Sequence, residues 1–259
     1  MRLSKSRFFR LSLNLTLINF LFPCVLLSAD LRQRNTIVSK STSITSSGNN
    51  TDVININNPS QNGISHNQFD AFEIHGGVVF NNSLENGISK IGGAIEKNPN
   101  LTKNASVIVS EITSKQSSHI NGILEVFGKK ANLIFANENG FNVNGAAFLN
   151  TKGVTLSTGN FNDNFLNVNS DARIKIGNSG IIVDGDYFNV ISRGIDIAGS
   201  IAHYEKGKNL SNINFIAGLN NVNLDNPNSP EIIVRATEQR DKKKLLRDRW
   251  KASRIYVRR

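Results

Sequence analysis

The sequence predicts an all-β fold, and within that class a parallel β-helix ahead of a β-sandwich or jelly roll. Three observations carry the prediction. Asparagine is dense, 38 of 259 residues, and Asn-Gly pairs sit at 62–63, 86–87, 121–122, 139–140 and 144–145. Both residue types tolerate positive φ, so these pairs mark turns. Between the turns lie short runs rich in β-branched and aromatic residues. The runs are closely spaced, with three of them between Leu133 and Leu156.

In chain order the runs begin with Val53–Ile56, Val78–Phe80, Val107–Ile112, Ile123–Phe127 and Leu133–Phe135. They continue with Phe141–Val143, Val154–Leu156, Arg173–Ile176, Ile181–Val183, Ile195–Ile197 and Ile213–Ile216. Phe141-Asn142-Val143 and Ile195-Asp196-Ile197 alternate apolar with polar residues, the pattern of a half-buried strand. Only Ile64–Phe72 and Leu84–Ile95 leave room for a turn or two of helix, and neither has a clear helical period. Three strands in roughly twenty residues is the rhythm of one β-helix coil, whereas a sandwich has longer strands at wider intervals. Stacked coils form an inner apolar column, and Asn side chains can ladder along their turns.

The two ends differ from this body. Residues 1–10 carry four positive charges and no acid, Leu11–Leu27 is uncharged, and Leu27-Ser28-Ala29 offers a small residue before Asp30. That layout predicts a secretory signal peptide over residues 1–29. A permanent membrane span is disfavoured because Asn14, Thr16, Asn19 and Pro23 interrupt the run. Cleavage there removes Cys24, the single cysteine, so no disulfide is expected. Of the net charge of +10, residues 1–10 supply +4 and residues 235–259 supply +8, which leaves −2 for residues 30–234. A body of that charge lacks the basic surplus needed to grip a phosphate backbone, and no nucleic-acid partner is expected. Residues 235–259 read as a basic, disordered tail.

Catalytic readings find little support. β-Helices also carry polysaccharide lyases and hydrolases, and glycoside hydrolysis needs paired carboxylates. The best pair is Asp184-Gly185-Asp186, with Asp196 nearby in sequence and Arg193 as a charge stabiliser, yet Asp-Gly-Asp is more often a turn. His66, His75, His119 and His203 lack metal-ligand spacing, so neither a metal nor a cofactor is expected. His66-Asn67 reads as a turn at the capping end of the helix. A polysaccharide-active enzyme stays as the alternative to a protein-recognition module.

A series of blocks then carries a resemblance. Asn62-Gly63-Ile64-Ser65-His66-Asn67-Gln68-Phe69, Gly77-Val78-Val79-Phe80-Asn81-Asn82-Ser83, Asn98-Pro99-Asn100-Leu101, Gly122–Gly128 and Ala131–Asn137 follow in order. Together they resemble the amino-terminal two-partner secretion domain, or haemagglutination activity domain, of the filamentous haemagglutinin family. Asn98-Pro99-Asn100-Leu101 matches the family's first hallmark tetrapeptide. The second, Asn-Pro-Asn-Gly in the family, is here Asn137-Glu138-Asn139-Gly140. Its turn is expected to survive, because Asn139-Gly140 is kept and Pro mainly pre-sets one φ angle.

The resemblance implies a right-handed parallel β-helix with an amino-terminal cap of extra strands, spanning residues 30–234. It implies a non-enzymatic secretion module that crosses the periplasm of a Gram-negative bacterium and reaches the cell surface or the medium. The implied partner is an outer-membrane β-barrel transporter with periplasmic binding domains. Asn98, Pro99, Asn100 and Leu101 would form the recognition motif, Asn137, Glu138, Asn139 and Gly140 a secondary one, and His66 and Asn67 part of the cap. A host-cell surface protein or glycan is a further partner class. The large product would be an adhesin, or alternatively a cytolysin or contact-dependent toxin. Family members continue far beyond this domain, so a chain ending at Arg259 reads as truncated.

Overall fold

Short apolar runs separated by turns of only a few residues favour winding over long hairpins. The fold follows that logic. A computed structural model describes residues 34–233 apart from 48 and 50. The expected signal peptide over 1–29 and the basic tail over 235–259 lie outside those residues. The described residues form strands and no helix.

The chain enters through β1 (Thr36–Ser39), β2 (Ser43–Ser46), β3 (Asp52–Asn55) and β4 (Ile64–Glu73). β1 lies antiparallel beside β4, and β2 antiparallel beside β3, so the two entering strands close the amino-terminal ends of two sheets. From β3 onward the chain winds over three faces in a fixed order. The second coil holds β5 (Gly77–Asn82), β6 (Gly87–Ser89), β7 (Gly93–Ile95), β8 (Val107–Ile112) and β9 (Ser118–Ile120). The third holds β10 (Ile123–Gly128), β11 (Ala131–Asn137) and β12 (Phe141–Val143). The fourth holds β13 (Ala146–Leu149), β14 (Thr151–Ser157), β15 (Asn160–Asn162), β16 (Phe165–Asn167) and β17 (Arg173–Ile176). The fifth holds β18 (Ile181–Val183), β19 (Tyr187–Ser192) and β20 (Gly194–Ile197). The last holds β21 (Ile201–His203) and β22 (Asn212–Ala217), followed by β23 (Asn221–Asn223) and β24 (Glu231–Ile233).

Parallel pairing stacks these coils. The first face runs β3-β5-β10-β13-β18-β21, the second β4-β8-β11-β14-β19-β22, and the third β9-β12-β17-β20. The architecture is the expected parallel β-helix. Inside it, Phe72, Phe80, Phe135 and Phe148 form a continuous aromatic column, with ring centroids 5.7 Å apart for Phe72–Phe135 and 5.9 Å for Phe135–Phe148. All four are fully buried, and each buried aromatic stabilises the fold by about 1.5–3 kcal/mol through apolar burial.

Two excursions leave the helix and cover its outside. The β6–β7 hairpin lies over the first face, where Ile95 joins the outward-facing Val53, Val79 and Phe127 in a small second core. The sheet β15-β16-β23-β24 covers the second face, packing Phe161, Leu166 and Val222 on Val109, Ile134 and Ile191. Both positions that left room for helix are therefore strands. Ile64–Phe72 falls within the ten-residue β4, whose alternation is masked in the sequence because Ser65 and Asn67 point polar groups into the interior. Leu84–Ile95 contains the hairpin, whose two strands are three residues each.

Candidate functional site

The two hallmark tetrapeptides build the same turn. Asn98 accepts the Leu101 N–H on its main-chain carbonyl at 3.4 Å and the Asn100 N–H on its side-chain Oδ1 at 2.9 Å. Asn137 accepts the Gly140 N–H on its carbonyl and the Asn139 N–H on Oδ1, both at 2.9 Å. In each case the first Asn is buried, 2% exposed at Asn98 and 0% at Asn137, while the next two residues face solvent. Its Nδ2 donates inward, from Asn98 to the carbonyls of Ile56 and Asn81, and from Asn137 to the Gln116 carbonyl and Ser118 Oγ. The third residue then ties the turn to the preceding coil: Asn100 Nδ2 donates to the Asn55 carbonyl at 3.0 Å, and Asn139 Nδ2 to that of Ser114 at 2.8 Å.

One carboxamide thus satisfies several main-chain groups at a sharp corner, where an unmade buried hydrogen bond costs about 1–3 kcal/mol. Glu138 stands where Pro99 does and is exposed, so the missing Pro removes no packing. Gly140 has φ +93°, and a Cβ there would strike the Arg173 carbonyl, which explains Gly at this fourth position. Leu101 instead packs half-buried against the main core. The turns are not neighbours. The first lies where the first face passes to the second, and the other where the second passes to the third.

Around Asn98 the structure adds residues that the sequence reading did not single out as a site. Asn81 Nδ2 donates to Asn55 Oδ1 and to the Glu96 carbonyl, both at 2.9 Å. Asn82 receives the Ala105 N–H and donates to the carbonyls of Ala105 and Lys129. The available signal was two consecutive Asn closing an apolar run. Asn side chains also link successive coils, as expected, but through backbone amides: Asn121 Oδ1 accepts the Asn144 N–H, and Asn144 Oδ1 that of Ser179.

His66 and Asn67 are not in a turn. Both lie within β4. Asn67 is fully buried, and its Oδ1 accepts the N–H of Asn57 at 2.9 Å, so it holds the connection between β3 and β4 from inside. His66 points outward and meets Glu111 Oε2 of the next coil at 2.9 Å.

The carboxylates considered as a catalytic pair, Asp184 and Asp186, flank Gly185 in the short connection expected of them, with Asp184 buried and Asp186 exposed. Asp184 sits at the corner between β18 and β19, while Asp196 stands on β20, bound through both oxygens by Arg173 at 2.9 and 2.7 Å. Burial alone would raise the Asp184 carboxyl, but the Asn150 N–H and the ammonium groups of Lys130 and Lys90 hold it below the usual range. Arg193 pairs with Asp171 at 3.3 Å instead.

Known proteins share this arrangement. The crystal structure of a filamentous hemagglutinin secretion domain superposes with a TM-score of 0.70 at 39% identity, covering 76% of this chain and 68% of that one. The filamentous hemagglutinin of Bordetella pertussis is 42% identical over 184 residues, 69% of this chain but 5% of the relative. A hemolysin of Proteus mirabilis is 37% identical over 60% of this chain and 10% of its own length, and a toxin CdiA of Yersinia pestis 39% over 45% and 4%. The chain thus spans about a tenth or less of these relatives. A family model described as the TPS secretion domain matches residues 29–253, and on that match the chain belongs to the TPS secretion domain family.

Proposed function

We propose that this chain is the amino-terminal secretion module of a large exported adhesin, recognised by an outer-membrane two-partner transporter with periplasmic binding domains and seeding β-helix formation at the cell surface. One observation carries the reading: among the described residues, the helix is covered at its amino-terminal end and leaves apolar side chains exposed at the other. β1 and β2 lie against its first strands. At the far end Ile213 and Phe215 stand in register with the buried Phe188 and Val190 and are nonetheless 43% and 37% exposed. An inner column that ends in exposed apolar side chains suits a template on which further coils add. The Asn98–Leu101 turn is the proposed recognition motif, with Asn137–Gly140 as a rigid second corner.

The names of the matched hemolysin and toxin CdiA support a second reading, in which the same module exports a cytolysin or contact-dependent toxin. The module's work is identical in both. A polysaccharide-active reading is not favoured, since Asp184 is engaged by the Asn150 N–H, Lys90 and Lys130, and Asp196 by Arg173. The test is co-expression with and without an outer-membrane two-partner transporter from the same organism. Secretion that requires that transporter supports the reading, and equal secretion in its absence overturns it.

A further inference from the structure

Lysine on this β-helix is gathered on one edge. Eight of the eleven lysines among the described residues lie where the first face passes to the second or just beside that edge, and all eight are exposed. Lys97 and Lys103 follow the hairpin of the second coil, Lys129 and Lys130 link β10 to β11, and Lys152 is the second residue of β14. Lys206 and Lys208 occupy the corresponding connection of the last coil. Winding brings residues distant in sequence onto coils about 4.8 Å apart, so on a body of net −2 these eight lysines outnumber the five acids of the same connections, Glu85, Glu96, Asp184, Asp186 and Glu205.

The same edge carries protruding apolar side chains. Ile88 is 78% exposed and Leu84 40%. Gly128 is the register partner of Asn82 and the Lys129 N–H donates to the Asn82 carbonyl, which brings Lys129 alongside the segment that leads into Leu84, and Gly87 lies against the Phe127 ring. Lys90 and Lys130 converge on Asp184 at 3.6 and 3.4 Å, and the Lys90 ammonium lies 5.4 Å from the ring centroid of Tyr204, itself 49% exposed.

We infer that this edge is a docking surface for an anionic lipid bilayer. Flexible ammonium groups attract phosphate headgroups, while a few protruding aliphatic side chains and an amphipathic Tyr enter the interfacial layer. A carboxylate-bearing protein surface would be matched better by the fork of arginine, and Arg173 and Arg193 are engaged elsewhere, with Asp196 and Asp171. The inference concerns the folded domain near a membrane and does not depend on which transporter exports it.

The experiment is co-sedimentation of the purified protein with phosphatidylcholine vesicles, with and without about a third phosphatidylglycerol. The protein partitions onto the anionic vesicles, and binding falls as salt shortens the screening length. K129E/K130E/K152E weakens partitioning at least about tenfold, I88S weakens it less, and the off-edge K115E/K175E leaves it unchanged. K129Q/K152Q, which spares the Lys130–Asp184 contact, serves if the triple variant unfolds by circular dichroism. Residues 235–259 are common to all variants, so differences report the edge. Equal partitioning of wild type and edge variants overturns the inference. So does an equal loss in K115E/K175E, or edge variants that keep vesicle binding and lose only transporter binding.

Discussion

The ring of Tyr187 occupies the space that a side chain at position 153 would need. Gly153 and Tyr187 are register partners on β14 and β19, and a Cβ on Gly153 would overlap the ring. The Tyr187 hydroxyl crosses the gap and donates to Asn132 Oδ1 on β11 at 3.0 Å, so one side chain spans three coils. Gly153→Ala should therefore destabilise the domain by about 1–3 kcal/mol through overpacking. Tyr187→Phe should cost about 1 kcal/mol for the lost hydrogen bond. Urea midpoints decide the matter, and a Gly153→Ala midpoint equal to wild type would mean that the ring can move aside.

The hallmark turn yields a graded pair. Asn98→Ala strands the Ile56 and Asn81 carbonyls and the Asn100 N–H, and should cost about 2–3 kcal/mol. Asn100 is exposed and its Nδ2 serves the neighbouring carbonyls of Asn55 and Ile56, so Asn100→Ala should cost about 1 kcal/mol. If Asn100→Ala abolishes secretion and transporter binding with its denaturation midpoint in place, the exposed half of the turn is read by the transporter. If stability and secretion fall together, the turn acts as a brace.

Glu125 holds the hairpin. It is 3% exposed and accepts hydrogen bonds from Ser89 Oγ, the Lys90 N–H and the Ile91 N–H at 2.7, 3.0 and 3.0 Å. Glu125→Ala should free residues 87–95 while leaving the coils paired, at a cost of about 2–3 kcal/mol. The expected signature is trypsin cleavage after Lys90 together with unchanged amide-exchange protection in β10 and β11. Retained resistance at Lys90 would show that the apolar contacts of Ile95 and Phe127 suffice.

Acid should weaken the domain through specific carboxylates. A hydrogen bond from His66 holds Glu111 below its ordinary value of 4.5, and one from Arg173 holds Asp196 below 3.8. Both folded-state values are depressed, so their stabilisation is present above those ordinary values and is lost as pH falls through the folded ones. Stability measured by urea denaturation should therefore decline on acidification below about pH 5. Asp196→Asn should flatten part of that decline. A profile that rises towards acid would contradict the assignment.

The reach of the sequence can be judged element by element. Val107–Ile112, Phe141–Val143, Arg173–Ile176 and Ile181–Val183 coincide with β8, β12, β17 and β18. Each is a short apolar or alternating run bounded by turn residues, a signal that is local to the chain. The tetrapeptides 98–101 and 137–140 were visible for the same reason, and ordered blocks of such motifs identified the family.

Tertiary structure decided the rest. β4 was obscured because Ser65 and Asn67 occupy interior positions, and a polar residue inside is tolerated only where partners exist, which sequence pattern does not reveal. Whether Asn98 and Asn137 are structural depends on the carbonyls waiting in the neighbouring connections, Ile56 after β3 and Gln116 before β9. The separation of Asp184 from Asp196 and the gathering of lysines on one edge follow from winding, which sets spatial proximity by coil and face. Local chemistry specified strands and turns, and only the stacking of coils determined which of them meet.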